Sequence, residues 1–110
     1  MPQPLGRNNV RDLEPQDVAR GLVEGRMLLV DVREPNETDR ERYPEAVLLP
    51  MSVFDPHAID PGGRQVVFAC QVGVRSVTAS LIAQTAGLPY DAHLAGGLKA
   101  WKAAGLPTEP

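Results

Sequence analysis

The residues with the clearest chemical potential surround the one cysteine of the chain, Cys70. An apolar segment ends there, and the letters CQVGVRS follow over residues 70–76. A helix is predicted to begin near Arg75 or Ser76, and a helix N-terminus carries unpaired N–H groups and a partial positive charge. A loop before such a terminus can aim further N–H groups into the same space, and Gly73 permits the backbone this requires. The spacing therefore predicts a cradle for an anion.

A sulfur at the centre of this cradle is expected to ionise readily. Inward N–H groups and the permanent cation of Arg75 favour a thiolate, and such surroundings lower a cysteine pKa from about 8.5 to roughly 3.5–7.5. The alternative is that Cys70 is an inert packing residue, because lone cysteines are among the most buried residue types. The glycine, the arginine and the following helix favour a reactive cysteine.

Short apolar segments bounded by glycine and proline indicate the elements that hold this loop. Segments of this kind are typical of strands buried on both faces, and they occupy residues 27–32, 46–49, 65–69 and 91–94, with an edge strand near Val10. Helices are predicted over 15–24, 76–86 and 98–104, and irregular chain or short helical turns over 34–42 and 52–59. This alternation predicts an α/β fold, a parallel sheet of four to five strands with helices on both faces. Ligands of such sheets bind beyond the carboxyl ends of the strands, where Cys70 lies.

Several segments, in their order and spacing, resemble the single-domain rhodaneses, a family of sulfurtransferases. They are LVDVRE at 29–34, Pro44 with AVLLP at 46–50, the loop at 70–76, LAGGLKAW at 94–101 and GLP at 105–107. The resemblance covers residues 9–108 and implies a rhodanese-like three-layer fold. One departure is that many relatives carry Gly-His-Ile before a Pro-Gly-Ala step, where this chain has ERY at 41–43 and PEA at 44–46.

The resemblance implies a two-step sulfur transfer through Cys70. The cysteine would take a sulfane sulfur from a donor such as thiosulfate or a persulfide, and would pass it to a thiophilic acceptor. The acceptors implied are cyanide, a thiol, a dithiol or a sulfur-accepting protein, and no metal or organic cofactor is needed. The residues expected to hold the persulfide and the substrate anion are those of the loop: Gln71, Val72, Gly73, Val74, Arg75 and Ser76.

Three other functions are open to a chain of this kind. Related phosphatases and arsenate reductases have a loop one residue longer than the four residues between Cys70 and Arg75, and the wider cradle suits a tetrahedral oxyanion. A non-catalytic module would use a reactive Cys70 as a sulfur carrier, a redox sensor or a protein-binding site. An inert structural domain would need Cys70 buried with an ordinary pKa.

The side chains of the loop bear on the choice of sulfur donor. Val72 and Val74 offer neither a hydroxyl nor an amine, so Arg75 is the one charged side chain of the loop. We therefore expect the loop to handle a persulfide better than thiosulfate, which is a small dianion.

Other polar residues fall near the same predicted edge of the sheet. Asp31 is expected to be structural, by anchoring backbone N–H groups or pairing with a basic side chain. Arg33 is either structural or placed at the cleft mouth, where it would attract an anionic donor. His57 and His93 invite a pairing with Cys70, but the cradle needs no base, and packing or surface roles are expected for both. One cysteine with two scattered histidines is a weak signature of a metal site, and none is expected.

Length and composition limit the remaining possibilities. The 110 residues suit a single domain over 9–110 preceded by a flexible tail over 1–8. A net charge of −3 gives no electrostatic reason to bind nucleic acid or an anionic membrane. No apolar stretch approaches the ~20 residues of a membrane span, and the first residues lack the form of a secretory signal. The cytoplasm is the expected location, where Cys70 would be a free thiol.

Overall fold

A computed structural model describes residues 9–110 of the chain. The tail expected over residues 1–8 lies outside these described residues. The strands are β1 Arg11–Leu13, β2 Met27–Asp31, β3 Val47–Leu48, β4 Gln65–Ala69 and β5 Ala92–Leu94. The helices are α1 Pro15–Val23, α2 Pro35–Thr38, α3 Arg75–Thr85 and α4 Gly97–Ala103, with 3₁₀ turns at Met51–Val53 and Pro56–Ala58. None of these helices has the length and apolarity to cross a membrane.

The five strands form one parallel sheet in the order β1-β5-β4-β2-β3. The predicted α/β fold class is therefore confirmed. Strands β2 and β4 pair at the centre, with Asp31 beside Ala69 at their carboxyl ends. Because parallel strands end at the same edge, this register brings the segment after Asp31 next to Cys70.

Both faces of the sheet are covered, as the continuous apolar strands predict. Alternate residues of β2 point to opposite faces. Met27 and Leu29 belong to one apolar cluster, which also holds Val18 of α1, Leu98 and Trp101 of α4, and Val67 of β4. Leu28 and Val30 belong to the other, with Phe68 of β4 and Ala79 and Ala83 of α3. The small residues of α3 let that helix lie close to the sheet, which fixes the position of its N-terminus.

The segment 34–42 is more ordered than its polar composition suggested. Its first part forms α2, whose N-terminus is closed by a capping box between Glu34 and Glu37. The charged side chains from Glu37 to Arg42 are not all free in solvent. Glu37 forms an ion pair with Arg75, and Glu41 forms one with Lys102. The segment is thereby attached to both α3 and α4.

Candidate active site

The sulfur of Cys70 lies inside the loop between β4 and α3. It accepts hydrogen bonds from the backbone N–H groups of Gly73 at 3.1 Å and Ser76 at 3.3 Å. Its Sγ also lies 3.4 Å from the Ser76 hydroxyl oxygen. Gly73 has a φ of 91°, in the left-handed region that favours glycine. The loop thus surrounds the sulfur with donors, in the arrangement that the spacing predicts.

These donors change the acidity of the Cys70 thiol. Cys70 has no exposed surface, and this burial raises its pKa. Hydrogen bonds from the hydroxyl and N–H of Ser76 and from the N–H groups of Gly73 and Val72 lower the pKa by more, so it lies below the ordinary value for cysteine. An inert packing cysteine would have no such set of donors to its charged form.

Arg75 opens α3 and forms a two-pronged ion pair with Glu37. Its Nη1 and Nη2 lie 2.6 and 2.9 Å from the two carboxylate oxygens. The hydrogen bond from Arg75 lowers the pKa of Glu37 to about 2. The pair therefore contributes stability in full above the ordinary glutamate pKa, and this contribution is lost as the pH falls toward 2. The expected cation of the loop is present, but a carboxylate offsets its charge.

Asp31 and Arg33 form a buried ion pair beside the loop. Their side chains are 0% and 2% exposed, and Asp31 Oδ2 accepts from Arg33 Nη2 at 2.9 Å. Asp31 Oδ1 also accepts from the backbone N–H of Arg33. Asp31 thus makes both kinds of contact that were expected of it.

The guanidinium of Arg33 is held in place by further partners. It donates to the side-chain oxygen of Gln71 at 3.2 Å and to the backbone carbonyl of Glu41 at 2.9 Å. Its charge is paired with Asp31, so the structure favours the structural interpretation of Arg33 over that of a free cation at the cleft mouth. The cleft beside the loop measures about 260 Å³ and is lined by Arg33, Glu37, Arg40, Glu41, Gln71 and Leu98.

Two further contacts fix the start of the loop, and sequence reasoning missed the first of them. The hydroxyl of buried Tyr43 donates to the carbonyl oxygen of Cys70 at 2.8 Å. The N–H of Leu98 in α4 donates to the same oxygen at 2.9 Å. Tyr43 lies in the segment where the chain departs from many rhodaneses. A buried tyrosine hydroxyl requires a partner, but the polar residues on either side of Tyr43 in the sequence gave no sign that it would be buried.

The two histidines have different positions. His57 is exposed in the 3₁₀ turn Pro56–Ala58. His93 is 2% exposed on β5, and its Nδ1 lies 2.8 Å from the hydroxyl oxygen of Ser76. Its Nε2 lies 2.6 Å from a carboxylate oxygen of Asp12. A packing role was expected for His93, but the structure separates its ring from Cys70 by one hydroxyl group.

Comparison with known proteins agrees with this geometry. The model of the rhodanese-like domain family matches residues 14–104. The chain belongs to the rhodanese-like family. This rhodanese-like chain is 32% identical to a sulfurtransferase of Allochromatium vinosum, a match that covers 89% of this chain and 94% of that protein. It is 43% identical to an uncharacterised protein of Synechocystis sp., over 74% of this chain.

One solved structure spans the rhodanese-like chain almost completely. It is a protein of unknown function from Rhodopseudomonas palustris, described as a possible tyrosine phosphatase. The TM-score is 0.79 at 29% identity, and the match covers 99% of both chains. The present chain spans 46% of the Synechocystis relative, about half of its length.

Proposed function

We propose that this rhodanese-like protein is a sulfurtransferase that moves a sulfane sulfur through a persulfide on Cys70. The observation that carries the proposal is the position of Cys70 Sγ, with N–H donors at 3.1 and 3.3 Å in a loop that has four residues before Arg75. The match to a sulfurtransferase of Allochromatium vinosum, which covers most of both chains, supports it.

The reaction follows from a thiolate held among N–H donors. The Cys70 thiolate attacks the sulfane sulfur of the donor, and the bond from that sulfur to the rest of the donor breaks. The leaving group departs with the electron pair, as sulfite from thiosulfate or as a thiolate from a persulfide. The loop N–H groups stabilise the resulting persulfide anion. An acceptor nucleophile then attacks the outer sulfur and releases the Cys70 thiolate, which completes a two-step cycle.

The charges around the loop favour a persulfide as the donor. Glu37 offsets the charge of Arg75, and Asp31 offsets that of Arg33. The exposed side chains of the loop are apolar, because Val72 and Val74 are 54% and 68% exposed. Both guanidinium groups that contact the loop are therefore paired, and of the cations that line the cleft within residues 9–110 only Arg40 has no carboxylate partner. A dianion such as thiosulfate depends on such cations more than a persulfide of a small thiol or of a protein does. The acceptor proposed is a thiol, a dithiol or a sulfur-accepting protein, with cyanide as its laboratory substitute.

Val74→Lys is expected to improve the use of thiosulfate. A lysine at this exposed position adds a cation to the loop that holds the sulfur. One charge-assisted contact to an anion contributes about 1 kcal/mol or more, which is a fall in KM of roughly five-fold. Steady-state thiocyanate formation measures it. Val23→Lys is the matched control, since Val23 is 89% exposed at the end of α1, on the opposite edge of the sheet. An unchanged KM for Val74→Lys would contradict the proposed effect of charge.

The function itself is tested by the mass of the intact protein. The reduced protein is incubated with thiosulfate or glutathione persulfide, freed of donor and weighed, with Cys70→Ser alongside. A gain of one sulfur atom on the native protein alone, released by cyanide as thiocyanate over repeated cycles, is the expected result. Sulfur uptake without turnover would show a carrier or sensor instead. No uptake from either donor, together with hydrolysis of p-nitrophenyl phosphate, would show a phosphatase.

A further inference from the structure

A continuous line of hydrogen bonds connects the buried sulfur with the surface of the protein. Cys70 Sγ lies 3.4 Å from Ser76 Oγ, which lies 2.8 Å from His93 Nδ1. His93 Nε2 lies 2.6 Å from Asp12 Oδ1. Cys70, Ser76 and His93 are at most 2% exposed, whereas the Asp12 side chain is 53% exposed. The strand register supports this line, since β1 and β5 place Asp12 beside His93.

The direction of these hydrogen bonds follows from the groups themselves. A carboxylate only accepts, so the Nε2 atom that faces Asp12 carries a proton. In a neutral ring, Nδ1 is then an acceptor that faces the Ser76 hydroxyl. The hydroxyl donates to Nδ1 and accepts from the Cys70 thiol. Every member of the line is therefore oriented to move a proton from the sulfur to the ring.

We propose that His93 takes up the proton of the Cys70 thiol through the Ser76 hydroxyl, with Asp12 holding the ring in the tautomer that this requires. The S–H bond breaks as its proton moves to Ser76 Oγ, while the Ser76 O–H proton moves to Nδ1. Two protons move, the net change is the transfer of one proton from the sulfur to the ring, no electrons change hands, and the products are a thiolate and an imidazolium. The hydroxyl then donates to the thiolate, and the imidazolium lies between Ser76 and the Asp12 carboxylate.

This inference rests on the proposed function, because the thiolate that it accounts for is the nucleophile of the proposed sulfur transfer. Ser76 contacts the reacting sulfur, and His93 and Asp12 are positioning residues that act through it. The groups that face the His93 ring are Asp12 from β1 and Ser76 from α3, with Cys70 behind the hydroxyl. Across residues 9–110, no further ionisable side chain makes a hydrogen bond or ion pair with the ring.

The test measures the acidity of Cys70 without any sulfur transfer. The ultraviolet absorbance of the thiolate is followed against pH in the full chain and in His93→Gln, whose amide fills similar space but does not take up a proton. In His93→Gln, the midpoint of the Cys70 titration is expected to rise by about one pH unit. At pH values below the midpoint, the fraction of thiolate is then about tenfold lower than in the unsubstituted chain. The acid limb of the kcat/KM profile should move by the same amount. His57→Gln is the matched control and should change neither.

Two further variants separate this role from simple packing. Asp12→Asn leaves the buried ring in place and should shift the Cys70 midpoint in the same direction, so the test stands even if His93→Gln fails to fold. In a Ser76→Ala background, His93→Gln should cause no additional shift, because the line is already broken. An unchanged Cys70 titration midpoint in Asp12→Asn and in every folded His93 variant would overturn the proposal. Shifted midpoints in a protein that transfers no sulfur would sustain the proton path and reject the sulfurtransferase.

Discussion

Cys70→Ser is expected to abolish sulfur transfer, with kcat/KM falling on the order of 10³-fold or more. A serine oxygen forms no stable bond to a sulfane sulfur under these conditions, and its hydroxyl does not ionise at neutral pH. The donors around the site, the N–H groups of Gly73 and Ser76, would remain in place. Thiocyanate formation measures the loss, with glutathione persulfide and thiosulfate as donors.

The same substitution should leave the fold intact, which makes the loss of activity informative. Cys70 is fully buried, and serine is slightly smaller and can accept the same hydrogen bonds. The free energy of unfolding in urea should change by about 1 kcal/mol. Cys70→Ala, which removes the acceptor as well, is the paired variant and should be equally inactive. Substantial transfer by either folded variant would place the sulfur-carrying atom elsewhere.

The sequence predicts those features of the site that one continuous segment forms, which are β4, the loop after Cys70 and the start of α3. β4 matches its predicted bounds at residues 65–69, and α3 begins at Arg75, the earlier of the two predicted starts. The loop connects a strand to a helix N-terminus within seven residues and contains a glycine. These constraints leave few backbone conformations for the loop, so its N–H groups converge on Cys70. The local pattern thus determined both the fold around Cys70 and the donors to its sulfur.

The contacts between distant segments could not be predicted in the same way. Glu37 and Arg75 are 38 positions apart, and His93 and Asp12 are 81 apart. A single side chain that reaches across elements leaves no periodic pattern, and its partner depends on the strand register. The free cation expected at Arg75 and the packing role expected at His93 were both inferred without these partners. The order of the strands supplies them. It places β1, with Asp12, beside β5, and it places β2 beside β4, whose carboxyl ends lead into the segments that carry Glu37 and Arg75.

Gly97→Ala is expected to destabilise the protein by about 2–4 kcal/mol, because a methyl group there meets both strain and a clash. Gly97 has a φ of 64°, in the left-handed region. A Cβ atom would lie 2.5 Å from the carbonyl carbon of Gln71 and 2.7 Å from the carbonyl oxygen of Cys70. Both are backbone atoms, and the Cys70 carbonyl is held by Tyr43 and Leu98. The cysteine loop would have to move, so sulfur transfer should fall together with the free energy of unfolding.

Gly105→Ala separates the clash from the strain. Gly105 has a φ of 79°, and apart from its neighbours along the chain no atom lies within 4 Å of the position that its Cβ would occupy. It should therefore show the conformational cost alone, about 1 kcal/mol, with sulfur transfer unchanged. The difference between the two variants in their free energy of unfolding in urea is then the free-energy cost of displacing α4 from the start of the loop. Equal losses of stability would mean that the contact between α4 and the loop relaxes freely, and that the cradle around Cys70 does not depend on it.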